Sequence, residues 1–142
     1  MLQVKHLLQQ KGGEVLTIAA DEPVIVAIKT MADRYVGALL VLDNGHLVGI
    51  VSERDYARNV ILKGRSSSTT PVRDIMSAPV ISVESTDTVE TCMRVCTDSR
   101  VRHLPVVDAG KLVGVVSIGD LVKAVITEQG EQIEHLQRYI AG

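Results

Sequence analysis

Apolar positions along the chain fall into short runs punctuated by turn residues, and the whole set of runs is written twice. "VLTI" (15–18) and "VISV" (80–83) have the length and branched content of short strands. Asp21, Glu22 and Pro23 then mark a helix start, with proline at the first turn and acids toward the positive end of the dipole. Val24, Ala27, Ile28 and Met31 follow at helical spacing, as do Val89, Cys92, Met93 and Cys96 in the second set. "ALLVL" (38–42) and "HLPVV" (103–107) predict buried strands. Turns follow at Asp43-Asn44-Gly45 and Asp108-Ala109-Gly110, where glycine accommodates positive φ. "HLVGIV" (46–51) and "KLVGVV" (111–116) predict a second strand, each running into a helix that begins at Ser52 or Ser117. The order is β-α-β-β-α, twice, an α/β (α+β) fold.

The two sets are one repeat. A shift of 65 positions aligns residues 15–60 with 80–125 without a gap, and 15 of the 46 pairs are identical. Ungapped self-similarity of this length means a duplicated structural unit, and two copies predict two halves packed on a pseudo-twofold axis. "VRDIM" (72–76) resembles "VKHLL" (4–8), so each copy is expected to own a short leading helix. The expected divisions are a first repeat with its leading helix at 1–62, a polar linker "KGRSSSTTP" at 63–71, a second repeat at 72–127 and a C-terminal helix at 128–142. That last helix places Ile133, Leu136 and Ile140 on one face, suited to docking on the body or on a partner chain.

Composition narrows the function. The 142 residues suffice for one compact domain with a real core. There is no Trp or Phe and only three Tyr, so stacking platforms for single-stranded nucleic acid are lacking. A net charge of −2 gives no sequence-wide basic field for a phosphate backbone, so nucleic acid is not an expected partner. The N-terminus lacks the apolar run of a signal peptide, and no run is long enough to span a bilayer. A cytoplasmic protein without membrane attachment is expected. Cys92 and Cys96, four apart with no second pair, suit two small buried residues on one helix face rather than zinc ligands.

Within the repeat, "GHLVGIVSERDY" (45–56) and "GKLVGVVSIGDL" (110–121) hold a serine and, three residues on, an aspartate, while the residues between them change. Ser-x-x-acid is the capping-box pattern, and the serine is expected to cap its helix. The usual reciprocal partner is Glu or Gln, so the recurrence of Asp55 and Asp120 asks for more than capping. A carboxylate at the end of a strand, where a helix begins, is well placed to accept both hydroxyls of a ribose. Phosphate would then be met by cations: Arg102 and His103 before the second buried strand, and Arg54 inside the first motif. The first copy has Gly37 and Ala38 where the second has Arg102 and His103, so the two sites are not chemically equal. A solvated surface arginine and a satisfied strand-edge histidine stay open as readings of that pair.

With "DIMSAPVISV", "VRHLPVVDAGKLVGVVSIGDLV" and "VGALLVLDNGHLVGIVSERDYA", the chain resembles a stand-alone tandem pair of cystathionine β-synthase (CBS) domains from about Val4 to Val125. The resemblance implies two clefts between the repeats for adenosyl ligands: AMP, ADP, ATP, NAD or S-adenosylmethionine. It implies ribose binding by Asp55 and Asp120, contacts from Ser52 and Ser117, and phosphate approach by Arg102 and His103. Adenine would lie against Leu16, Val36 and Gly37 in one cleft and Ile81 and Val101 in the other. It further implies a homodimer and a regulatory, non-catalytic role that alters an unidentified partner. No metal cluster, activated nucleophile or phosphate loop suggests an enzyme, and no cofactor is required. The alternative is a dimerisation or scaffold module whose clefts stay empty.

Overall fold

The computed structural model describes residues 2–11 and 14–141, in two compact units. One unit holds Val15–Ile81; the other holds residues up to Glu14 together with Ser82 onward. These are called the central and the terminal unit.

The central unit contains β1 (Thr17–Ala19), α2 (Val24–Arg34), β2 (Ala38–Asp43), β3 (His46–Ser52) and the short α3 (Glu53–Tyr56). Its sheet has the order β1-β2-β3, with β1 parallel to β2 and β2 antiparallel to β3. The two-residue turn at Asn44 (φ 50°) and Gly45 (φ 79°) is left-handed at both positions, which matches the strand twist. α3 continues into one π-helical turn, Ala57–Ile61. The terminal unit contains α1 (Val4–Lys11), α4 (Val89–Ser99), β4 (His103–Asp108), β5 (Lys111–Ser117) and α5 (Ile118–Ala141). Here β4 and β5 form an antiparallel hairpin. The strand expected at 80–83 shrinks to a single parallel bridge from Val83 to Val106. In the central unit the Leu40 amide donates to the Leu16 carbonyl at 3.1 Å. The matching residue is Pro105, which has no amide hydrogen to offer Ile81, and the pairing stops.

Both cores use the same repeat positions. Ile18, Val24, Ala27, Met31, Leu39, Val41 and Val51 are buried in the central unit. Their partners in the repeat, Val83, Val89, Cys92, Cys96, Leu104, Val106 and Val116, are buried in the terminal unit. Cys92 and Cys96 are thus core residues, standing where the first copy has Ala27 and Met31.

The leading segments are exchanged relative to the sequence order. Val4 and Leu7 join the core around the second repeat, while Val72 and Ile75 join the core around the first. The backbone bonds that dock them match one for one. Val72 N donates to Glu22 O and Arg73 N to Ala20 O; Val4 N donates to Asp87 O and Lys5 N to Ser85 O. Each segment also lays one apolar side chain on a strand glycine. A Cβ on Gly49 would fall 2.6 Å from Sδ of Met76, and one on Gly114 would fall 2.6 Å from Cδ2 of Leu8.

The stretch 63–71, expected as a linker, is also a cap. Pro23 offers no side-chain bond to the start of α2, and the orphan amides of Val24 and Ile25 donate to the carbonyls of Thr70 and Ser67 at 2.9 and 3.0 Å. In α4 the cap is Thr88 itself, whose side chain accepts from Thr91 N.

Candidate functional site

Each repeat brings its Ser-x-x-Asp to the same corner, where the last pair of the hairpin meets the following helix. In the central unit Ala38 pairs with Ser52, and Glu53 N donates to Gly37 O at 3.1 Å. In the terminal unit His103 pairs with Ser117, and Ile118 N donates to Arg102 O at 2.8 Å. Antiparallel register therefore puts residues 36–38 beside 52–55, and 101–103 beside 117–120. The Leu16 carbonyl accepts from Leu40 N, two residues along β2 from Ala38, while Leu16, Val36 and Val101 are half-buried against the cores. Arg54 and Arg102 have exposed side chains, and Ile81 is exposed at 36%.

The serines cap, and so do the aspartates. Ser52 is extended (φ −126°, ψ 166°) at the N-cap of α3; its hydroxyl accepts from Asp55 N at 3.2 Å, and Asp55 Oδ2 accepts from Ser52 N at 2.9 Å. Ser117 and Asp120 repeat the exchange at 3.1 and 2.8 Å. Aspartate, at the place where Glu or Gln is usual, spans the gap and completes the box in both copies. What capping leaves over is the rest of the carboxylate. Asp55 Oδ1 accepts only a long bond from Ser77 Oγ at 3.3 Å, and Asp120 Oδ1 has no donor among the described residues.

The two corners differ in charge. Lys11, at the end of α1, donates from Nζ to Asp120 Oδ2 at 2.7 Å and to Val115 O at 3.1 Å. Sequence reasoning misses this residue because it lies outside the aligned repeat and reaches the site only through the exchanged leading helix. Burial alone would raise the Asp120 carboxyl, but hydrogen bonds from Lys11 and Ser117 and the Lys11 charge outweigh it and hold the group below its usual range. His103 is pushed down, first by burial and then by the Lys11 and Arg102 charges, against the pull of Asp120. At the central corner Glu53 and Arg54 stand where the terminal corner has Ile118 and Gly119. No cluster of metal-ligating residues occurs among the described residues.

Among the described residues no helix is long and apolar enough to cross a membrane. The family model of the CBS domain matches residues 5–61 and 72–127. The "CBS domain-containing protein CBSX3, mitochondrial" of Arabidopsis thaliana is 40% identical over 98% of this chain and 72% of its own length. A solved CBS-domain protein of Burkholderia ambifaria MC40-6 is 47% identical, with a TM-score of 0.86 over 90% of this chain and 96% of that one. The CBS domain pair of protein MJ0100, solved with 5′-methylthioadenosine and S-adenosyl-L-methionine, shares the fold at 22% identity, with a TM-score of 0.79 over 90% of this chain and 98% of that one. Duplicated hairpins, matched cores and a Ser-x-x-Asp at each corner all agree with the family match, and the chain belongs to the CBS-domain family as a tandem pair of its repeats.

Proposed function

We propose that the chain is a non-catalytic regulatory module whose Ser-x-x-Asp corners hold adenosyl ligands of the AMP, ADP, ATP, NAD or S-adenosylmethionine kind. Ligand binding would be passed to a partner protein as a conformational change. The observation that carries the reading is the Asp120 carboxylate. One oxygen is committed to Ser117 and Lys11, the other has no donor among the described residues, and a cationic side chain adjoins it. A ribose brings two hydroxyl donors to such an acid, and the cation meets the group attached beyond the ribose. The two adenosyl compounds found with the MJ0100 pair support that ligand class. Signalling requires the ligand to prefer one arrangement of the protein over another, since a ligand indifferent to both shifts nothing. The cytoplasm, where such nucleotides abound, is the proposed compartment; the mitochondrial name of the Arabidopsis relative makes organelle fractionation a useful check.

A thermal-shift panel of AMP, ATP, NAD and S-adenosylmethionine tests the reading. A ligand at a hundred times its Kd stabilises the fold by about 2.7 kcal/mol, several degrees for a chain of this size. No shift with any of the four would remove the proposal.

A second reading, a ligand-independent dimerisation module, has its own support. Ile126, Ile133, Leu136, Tyr139 and Ile140 are all exposed along α5. A concentration-independent monomer by sedimentation would exclude it.

A further inference from the structure

Each motif aspartate is met by a residue at the end of its docked leading segment, at Oδ1 of Asp55 in the central unit and at Oδ2 of Asp120 in the terminal unit. In the central unit Ser77 donates its hydroxyl to Asp55 and exchanges two backbone bonds with Ile50. In the terminal unit Lys11 donates to Asp120 and to the carbonyl of Val115, the residue matching Ile50. The same corner of the same motif thus carries a hydroxyl in one copy and an ammonium in the other. The neighbours follow suit. The central corner holds Asp55, Glu53 and Arg54 beside Gly37 and Ala38; the terminal corner holds Asp120 with Lys11, Arg102 and His103. With histidine neutral, the first sums to one negative charge and the second to one positive.

We propose, resting on the adenosyl-ligand reading above, that Lys11 is a charge-selectivity residue. It makes the terminal corner a site for adenine ligands bearing an anionic phosphate, and leaves the central corner to neutral or cationic adenosyl compounds. The ion pair is accessible, with Lys11 39% and Asp120 29% exposed at their side chains. A ribose diol that takes both oxygens of Asp120 competes with the Lys11 ammonium for Oδ2. A displaced ammonium needs another acceptor, and losing a charged bond without replacement is costly. A 5′-phosphate on the same ribose supplies that acceptor as a charge-assisted bond. Adenosine offers nothing in exchange, and a sulfonium brings a second positive charge to a corner that already has an excess.

The test titrates the full chain with AMP and with adenosine, as wild type, Lys11→Gln and Lys11→Arg. Wild type is expected to prefer AMP, and Lys11→Gln to lose about tenfold in AMP affinity while adenosine binds as well or better. Lys11→Arg keeps the charge and is expected to keep the preference. Adding Asp120→Ala to the wild type and to Lys11→Gln is expected to abolish the difference between them, which assigns the effect to the terminal corner. An AMP-to-adenosine ratio that Lys11→Gln leaves unchanged overturns the selectivity role while adenosyl binding stands. Failure of wild type to bind either compound overturns both.

Discussion

Leu8 lies directly over the Cα of Gly114, so close that a Cβ there would stand 2.6 Å from its Cδ2. Met76 covers Gly49 in the other unit, but there the Ser77 carbonyl also stands 3.0 Å from the same point. A leucine terminus can turn aside more readily than backbone can. Gly114→Ala is therefore expected to destabilise by about 1 kcal/mol and Gly49→Ala by about 2–3 kcal/mol, within the range for overpacking. Denaturant melts of the two variants check the order; equal or reversed costs would mean that Leu8 yields no more readily than the backbone at Ser77, and no cost at either glycine would mean that the leading segments are not held against them.

Acid should weaken the fold in two stages. His103 has a folded pKa below its ordinary value of 6.5, so the unfolded chain takes up the proton first, and its share of stability falls as pH drops below about 6.5. Asp120 is depressed below its ordinary value of 3.8, so its share is present above that value and fades as pH falls through the lower folded one. His103→Gln is expected to flatten the stability profile between pH 5 and about 7 and to leave the stage below pH 4 in place. An unchanged slope in the upper window would show that His103 is not held neutral by its burial beside Lys11 and Arg102.

Both thiols should be silent in the native protein. Cys92 is buried and its pKa is pushed up to about 11, by burial first and then by Asp87 and Cys96; burial raises Cys96 as well. Since the thiolate is the reactive form, a thiol-reactive chromophore is expected to label neither residue at neutral pH and both in denaturant. Rapid native labelling of either would contradict the core placement.

Much of this fold is legible in the sequence because it depends on local pattern. The 65-residue register places both hairpins, both left-handed glycine turns and both capping serines. The strand expected at 80–83 is the local reading that fails, because Pro105 in "HLPVV" has no amide hydrogen and a strand on that side cannot pair fully. The exchange of leading segments is not visible. "VKHLL" and "VRDIM" are alike, either could fit either glycine-bearing strand, and only tertiary contact decides between them. The site divides on the same line. Asp55, Asp120, Arg102 and His103 carry their placement in the repeat, whereas Lys11 lies outside the repeat and arrives with the exchanged helix. The cap itself is legible as Ser-x-x-acid, whereas the reciprocal bond that aspartate accepts from the serine amide is set by the extended backbone of the serine.

Calorimetric titration of AMP into wild type and Asp120→Ala tests the central claim, that the aspartate ending each repeat motif is a ribose acceptor. Wild type is expected to bind saturably, and Asp120→Ala, checked by its own melt for a retained fold, to bind more weakly by about 1.5–3 kcal/mol, the scale of a hydrogen bond to a charged group. Binding that Asp120→Ala leaves untouched, or no heat from AMP and none from ADP, ATP, NAD or S-adenosylmethionine in its place, would reduce this carboxylate to a helix cap.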